Sequence, residues 1–142
     1  MRTSAAAVVL AVTLVGCGST SPKARYVAKL NAMCEDFAAR EQKIGAPGSP
    51  ADLKARGDRI VAAFEQAIVK PIERLKAPPE IASQAAQLRE LARRQREVLR
   101  GLAAAGKTGD LQQVQRLVVV NQQLNTQAAQ VARSLKAHSC AS

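Results

Sequence analysis

Three interruptions divide the chain beyond Ser21 into four stretches in which apolar residues recur at helical spacing: Gly45-Ala46-Pro47-Gly48, Ala77-Pro78-Pro79, and Gly109. A stretch patterned this way is stable only when its apolar stripe is covered by another, so four of them joined by short turns point to a helical bundle. Tyr26, Leu30, Met33, Phe37 and Ile44 form the first stripe, opened by Ser21 as cap and Pro22 in the first turn. Leu53, Ile60, Phe64, Ile68, Ile72 and Leu75 form the second, which starts at Ser49-Pro50-Ala51-Asp52. The third runs through Ile81, Leu88, Leu91, Leu99 and Leu102, with Gly101 and Gly106 expected to weaken its end. The fourth begins near Asp110, where Gln113 is spaced for a capping box, and presents Leu117, Leu124, Val131 and Leu135 with Asn121 and Ala128 on the same stripe.

The fold class expected is therefore all-α, an antiparallel four-helix bundle with up-down-up-down connectivity. Pro71 lies inside the second helix, where its missing amide and its clash with the Ala67 carbonyl predict a kink or a break. A chain redirected at Pro71 into a helical hairpin plus a long extended pair is the alternative topology. Alanine is abundant, and only Tyr26, Phe37 and Phe64 are aromatic, a mixture that suits helices better than a β-sandwich.

The leader has a different character. Met1 and Arg2 precede an apolar run from Ala5 to Val15, which at 1.5 Å per helical residue covers about half of a roughly 30 Å hydrocarbon core. A basic head, a short apolar run and small residues at its end are the marks of an export signal. Leu14-Val15-Gly16-Cys17 resembles the lipobox of bacterial lipoproteins. That resemblance implies cleavage between Gly16 and Cys17 by signal peptidase II after a diacylglycerol is attached to the Cys17 thiol. It also implies a chain divided into a signal peptide (1–16), a lipidated tether (17–22) and a bundle domain (23–142). Two or more acyl chains suffice for stable anchoring, at about 0.8 kcal/mol per buried CH₂. The expected location is the extracytoplasmic side of the cell membrane, or the outer membrane in a cell that has two.

With Cys17 lipidated, Cys34 and Cys140 remain as an even pair in an oxidising compartment, where a disulfide between them is expected. A loop of about 105 residues corresponds to roughly 4 to 5 kcal/mol of chain-entropy stabilisation. The pair conflicts with a regular bundle. Cys140 should lie near the start of the first helix, yet Cys34 is 13 residues beyond Ser21, about 20 Å along the helix axis. Either the fourth helix stops early and His138 to Cys140 turns back along the first, or the helices are staggered with Pro71 absorbing the difference.

Little in the sequence points to catalysis. His138 is the single histidine, and Glu-x-x-His, Cys-x-x-Cys, Cys-x-x-Cys-His and Gly-x-x-x-x-Gly-Lys-Ser/Thr motifs do not occur. Met33 reads as a core side chain rather than a haem ligand, and Glu35 and Asp36, adjacent on a helix, point about 100° apart instead of converging. No catalytic residue, metal or cofactor is therefore expected.

Charge is more informative. The chain holds 21 Lys and Arg against 11 Asp and Glu, and loss of Arg2 with the leader leaves a formal +9. That balance favours anionic lipid or cell-wall polymer, while export and the lack of aromatic stacking platforms argue against nucleic acid. Arg89, Arg93, Arg96 and Arg100 follow steps of four, three and four and so form one ridge on the third helix. The ridge is either an anion-binding feature or a row of stems lying over the core edge with their heads in solvent. The fourth helix instead carries Gln112, Gln113, Gln115, Gln122, Gln123, Gln127 and Gln130, an amide-rich surface suited to a partner protein or simply to solvent.

"YVAKLNAMCEDF" around Cys34 and "SLKAHSCAS" around Cys140 resemble small, uncharacterised helical lipoproteins of actinobacterial-type genomes, which pair a cysteine in the first helix with one near the C-terminus. The resemblance implies architecture and location rather than activity. The function expected is a non-enzymatic, membrane-anchored binding or scaffolding module of the envelope that contacts anionic lipid, cell-wall polymer or another envelope protein. A solute- or cofactor-binding bundle is the alternative, and an enzyme of unknown reaction a more distant one.

Overall fold

The computed structural model describes residues 20–45 and 47–141. The signal peptide read at 1–16 and the lipidation site read at Cys17 lie outside the described residues, as does half of the tether read at 17–22. The described chain is helical with no strand. Its elements are α1 (Pro22–Ile44), α2 (Pro50–Phe64), a π-helical turn (Glu65–Val69), α3 (Lys70–Arg74), a 3-10 turn (Pro79–Ile81), α4 (Ala82–Thr108), α5 (Leu111–Leu135) and a closing 3-10 turn (His138–Cys140). Since α2, the π turn and α3 run on as one rod, these make the expected four-helix bundle.

Local chemistry sets the boundaries. Ser21 Oγ accepts the Ala24 N–H at 3.1 Å, Ser49 Oγ accepts the Asp52 N–H at 3.2 Å, and Asp110 Oδ1 accepts the Gln113 N–H at 2.9 Å, each satisfying a donor at a helix start. The reciprocal half of the expected capping box is not made, because the Gln113 side chain accepts from Arg116 instead. Gly109, with φ of 74°, ends α4, and the Asp110 N–H returns to the Ala105 carbonyl.

The helix does not break at Pro71. The turn just before it widens to the π register, and the Lys70 N–H bonds to the Glu65 carbonyl five residues back. One extra residue in that turn moves the carbonyls that a proline ring would strike in a regular α-helix. The rod continues to Arg74, keeping Phe64, Val69 and Ile72 in the core.

Gly101 and Gly106 do not weaken the end of α4, which runs through both to Thr108. Gly57 and Gly106 are points of close backbone approach between α2 and α4. A Cβ at Gly57 would lie 2.8 Å from Ala103 Cβ, and one at Gly106 would lie 2.7 Å from Leu53 Cβ. The lost helix propensity, about 1 kcal/mol per glycine, is offset by this close approach.

The main core lies in the half of the bundle near the start of α1, where Tyr26, Leu30, Phe64, Ile72, Ile81, Leu88, Leu124 and Leu135 are buried together. Phe37 meets Phe64 edge to face, with ring centroids 5.3 Å apart. A smaller cluster of Leu102, Ala105 and Val114 fills the other half, beside the α4–α5 turn. Helix α4 is central, packed between α2 and α5, whereas α1 lies on α2, the π turn and the closing 3-10 turn. The side of the bundle between α1 and α5 is consequently left partly open.

Candidate functional site

Three features of the described residues carry more chemistry than a filled core: the closed cysteine pair, the open seam beside α1, and the arrangement of the arginines.

Cys34 and Cys140 are joined by a disulfide with Cα atoms 5.3 Å apart. The first of the two resolutions expected from the sequence is the one adopted. Helix α5 stops at Leu135, and Lys136 takes the left-handed conformation at φ 63° while the Ala137 N–H returns to the Ala132 carbonyl. The last residues then cross α1. The Ser139 N–H donates to Asn31 Oδ1 at 3.1 Å, and its hydroxyl donates to Glu35 Oε1 at 2.8 Å. Glu35 thus serves the tail and Asp36 pairs with Arg40 at 3.0 Å, so the two carboxylates do not converge. His138 is exposed, and Met33 is half-buried against the core.

Along the seam, a recess of about 350 Å³ lies among Met33, Phe37, Phe64, Leu88 and Ala128, with Gln95 and Asn125 on its wall. Gln95 Nε2 donates to Asn125 Oδ1 there, at 2.5 Å. A second recess of about 310 Å³, toward the α1–α2 turn, is lined by Leu53, Leu99, Leu102, Val118 and Asn121, and Glu41 borders both. Asn121 Oδ1 is buried without a hydrogen-bond partner among the described residues. The volumes match the lower range of small-molecule sites, and apolar walls with a few amides suit a guest with an apolar body and a polar end. Val118 belongs to a group of exposed aliphatics on α5, with Leu111, Val119 and Val120. No hydrophobic spacing announced this seam, because it arises from which helices fail to meet rather than from any one stripe.

The arginine ridge is largely engaged within the fold. Arg93 Nε lies 3.1 Å from Glu73 Oε1, and Arg100 Nη2 lies 2.5 Å from Glu65 Oε1, so two members reach across to α3 and the π turn. Arg96 pairs with Glu97 at 2.8 Å on its own helix. Arg89 has no carboxylate at salt-bridge distance among the described residues and lies near Tyr26. Burial pushes the Tyr26 hydroxyl above its usual ionisation range, and the Arg89 charge opposes that shift. The exposed pairs are each worth at most about 1 kcal/mol, so they orient α4 on its neighbours more than they hold it there.

No group of three or more His, Cys, Asp or Glu among the described residues is placed to hold a metal ion. No described helix is long and apolar enough to cross a membrane. No protein-family model, curated protein or solved structure matches the chain.

Proposed function

We propose that this chain is a non-enzymatic, lipid-anchored envelope protein whose helical domain acts as a binding or scaffolding module at an anionic extracytoplasmic surface. The observation that carries the reading is the Cys34–Cys140 disulfide. A bond of this kind belongs to an oxidising compartment, and it leaves Cys17, in Leu14-Val15-Gly16-Cys17, as the remaining cysteine of the chain. Export and lipidation account for that cysteine and for the apolar run before it together. The excess of positive charge favours anionic lipid or wall polymer as the contacting surface.

Metabolic labelling with an alkyne-bearing fatty acid in a bacterial host, followed by intact-mass measurement, tests the anchor. The expected product begins at Cys17 and carries diacylglycerol, and Cys17→Ser abolishes both the label and the cleavage. A product that retains residues 1–16 without lipid during normal export would falsify the reading.

A second reading, an apolar-solute binder, is favoured by the seam recess of about 350 Å³ beside Phe37 and Ala128. An environment-sensitive apolar fluorophore should brighten on binding there, and Ala128→Trp should abolish the signal by filling the recess. Equal fluorescence with the parent chain and the variant counts against it.

A further inference from the structure

The four helices alternate in direction, so the start of α1 and the linker between α3 and α4 lie at the same end of the bundle. There, Pro22, Arg25, Lys29, Leu75, Lys76 and Pro78 surround an open cleft of about 430 Å³. Arg25, Lys29 and Lys76 are all exposed. Neither Lys29 nor Lys76 has a carboxylate at salt-bridge distance among the described residues, and Arg25 donates to the Thr20 carbonyl at 2.5 Å, which ties the end of the tether to the cleft. The sequence contains no Asp or Glu from Cys17 to Cys34, and the first turn of α1 contains no acid.

Arg25, in the first turn of α1, meets the positive end of that helix's dipole, an arrangement that weakens the helix instead of capping it. Several cations on the sides of the bundle are paired with carboxylates, Arg40 with Asp36, Arg93 with Glu73, Arg100 with Glu65 and Lys107 with Asp58, whereas among the described residues the three around the cleft are not. The cleft is therefore lined by basic and apolar side chains with no carboxylate among them, and anions are its natural complement.

We infer that this end of the bundle is a docking surface for anionic phospholipid headgroups, with Arg25, Lys29 and Lys76 as the phosphate-contacting side chains. The inference rests on the lipid-anchored reading, which supplies the geometry. Four residues, 18 to 21, lie between the anchor cysteine and α1, and the five steps from Cys17 to Pro22 span at most about 17 Å when extended. The cleft is held within that distance of the headgroups, where each basic side chain near an anionic surface adds about fivefold in membrane partition. Docking there stands the bundle on its tether end. With α1 about 34 Å long, it carries the α1–α2 and α4–α5 turns away from the membrane.

The test uses the mature chain as cells process it, with the mass of its Cys17 adduct measured first. The protein is reconstituted into vesicles of phosphatidylcholine alone or with 30% phosphatidylglycerol, and the rate of lysine acetylation is read peptide by peptide. At low salt, Lys29 and Lys76 should react about three- to tenfold more slowly in the anionic vesicles. Lys43 and Lys54, at the opposite end, should not change. High salt should erase the difference, and Arg25→Gln, checked for helicity by circular dichroism, should reduce the protection of Lys29. Equal labelling of Lys29 and Lys76 in both vesicles overturns the inference, as does equal protection of Lys43 and Lys54. If the mass shows no lipid on Cys17, the anchoring reading fails on its own; the same vesicles added to the unanchored chain still test the cleft, with the same ratio expected.

Discussion

The two ends of the bundle differ in what packs them and in what lines their surface. At the turn end, α2 and α4 meet through Gly57 and Gly106, the core is the small cluster around Leu102, and Lys107 is paired with Asp58. At the end that holds the start of α1 the core is larger, and Arg25, Lys29 and Lys76 line a cleft with no carboxylate. Close backbone contact and matched charge are what a bundle needs for its own cohesion. Charge gathered around the cleft brings no such cohesion, and the larger apolar core lies in the same half.

Removing the disulfide should produce the largest change. Cys34→Ser with Cys140→Ser should lower unfolding stability by up to about 4 to 5 kcal/mol, read from denaturant titration with and without reductant on the parent chain. Hydrogen exchange should rise first along α1 and leave α4 and α5 comparatively protected, because α1 has little other backbone contact with that pair. Uniform acceleration across all the helices would mean that the two halves are one cooperative unit.

Gly106→Ala probes the turn end. Alanine gains about 1 kcal/mol of helix propensity, yet its Cβ would lie 3.1 Å from the Leu53 carbonyl carbon and the Lys54 nitrogen, backbone atoms that yield poorly. A net loss of about 1 to 2 kcal/mol is expected, measured by thermal or chemical unfolding. A gain in stability would show that α2 and α4 separate freely and that the turn end lacks the close contact described for it.

The smallest effect concerns the start of α2. The Ser49 hydroxyl donates to Asp52 Oδ2 at 2.7 Å, and with Arg56 nearby this holds the Asp52 carboxyl below its usual range. A depressed folded pKa stabilises above the unfolded value, and that stability disappears as pH falls through the folded one. The stability difference between the parent chain and Ser49→Ala should therefore narrow as pH drops from about 6 toward 3, leaving the part due to the helix cap. A difference that stays constant with pH would assign the whole effect to the cap.

Features set within one or two helical turns were legible in the sequence. The caps Ser21, Ser49 and Asp110 and the stripes ending in Leu102 and Leu135 needed only spacing and side-chain chemistry. The parity of the cysteines was legible too, but the route by which they meet was not, since it depends on a lysine, Lys136, in a conformation usually left to glycine. Gly57 and Gly106 read as weak points because a small residue reveals its purpose only once the opposing helix is in place. Pro71 correctly marked a disturbance, while the π turn that absorbs it reflects the pull of the core on residues to both sides. The acid-free run from Cys17 to Cys34 was visible on the page, but its partner Lys76 lies more than forty positions away and joins it only through the fold.

The link between residues 34 and 140 also orders events in time. A chain delivered from its N-terminus presents Cys34 long before Cys140, which comes 106 positions later. The first helix is thus fastened only after the other helices have followed. A chain cut short before Cys140 keeps Cys34 without this partner, so incompleteness is written on the molecule as an unpaired sulfur on α1.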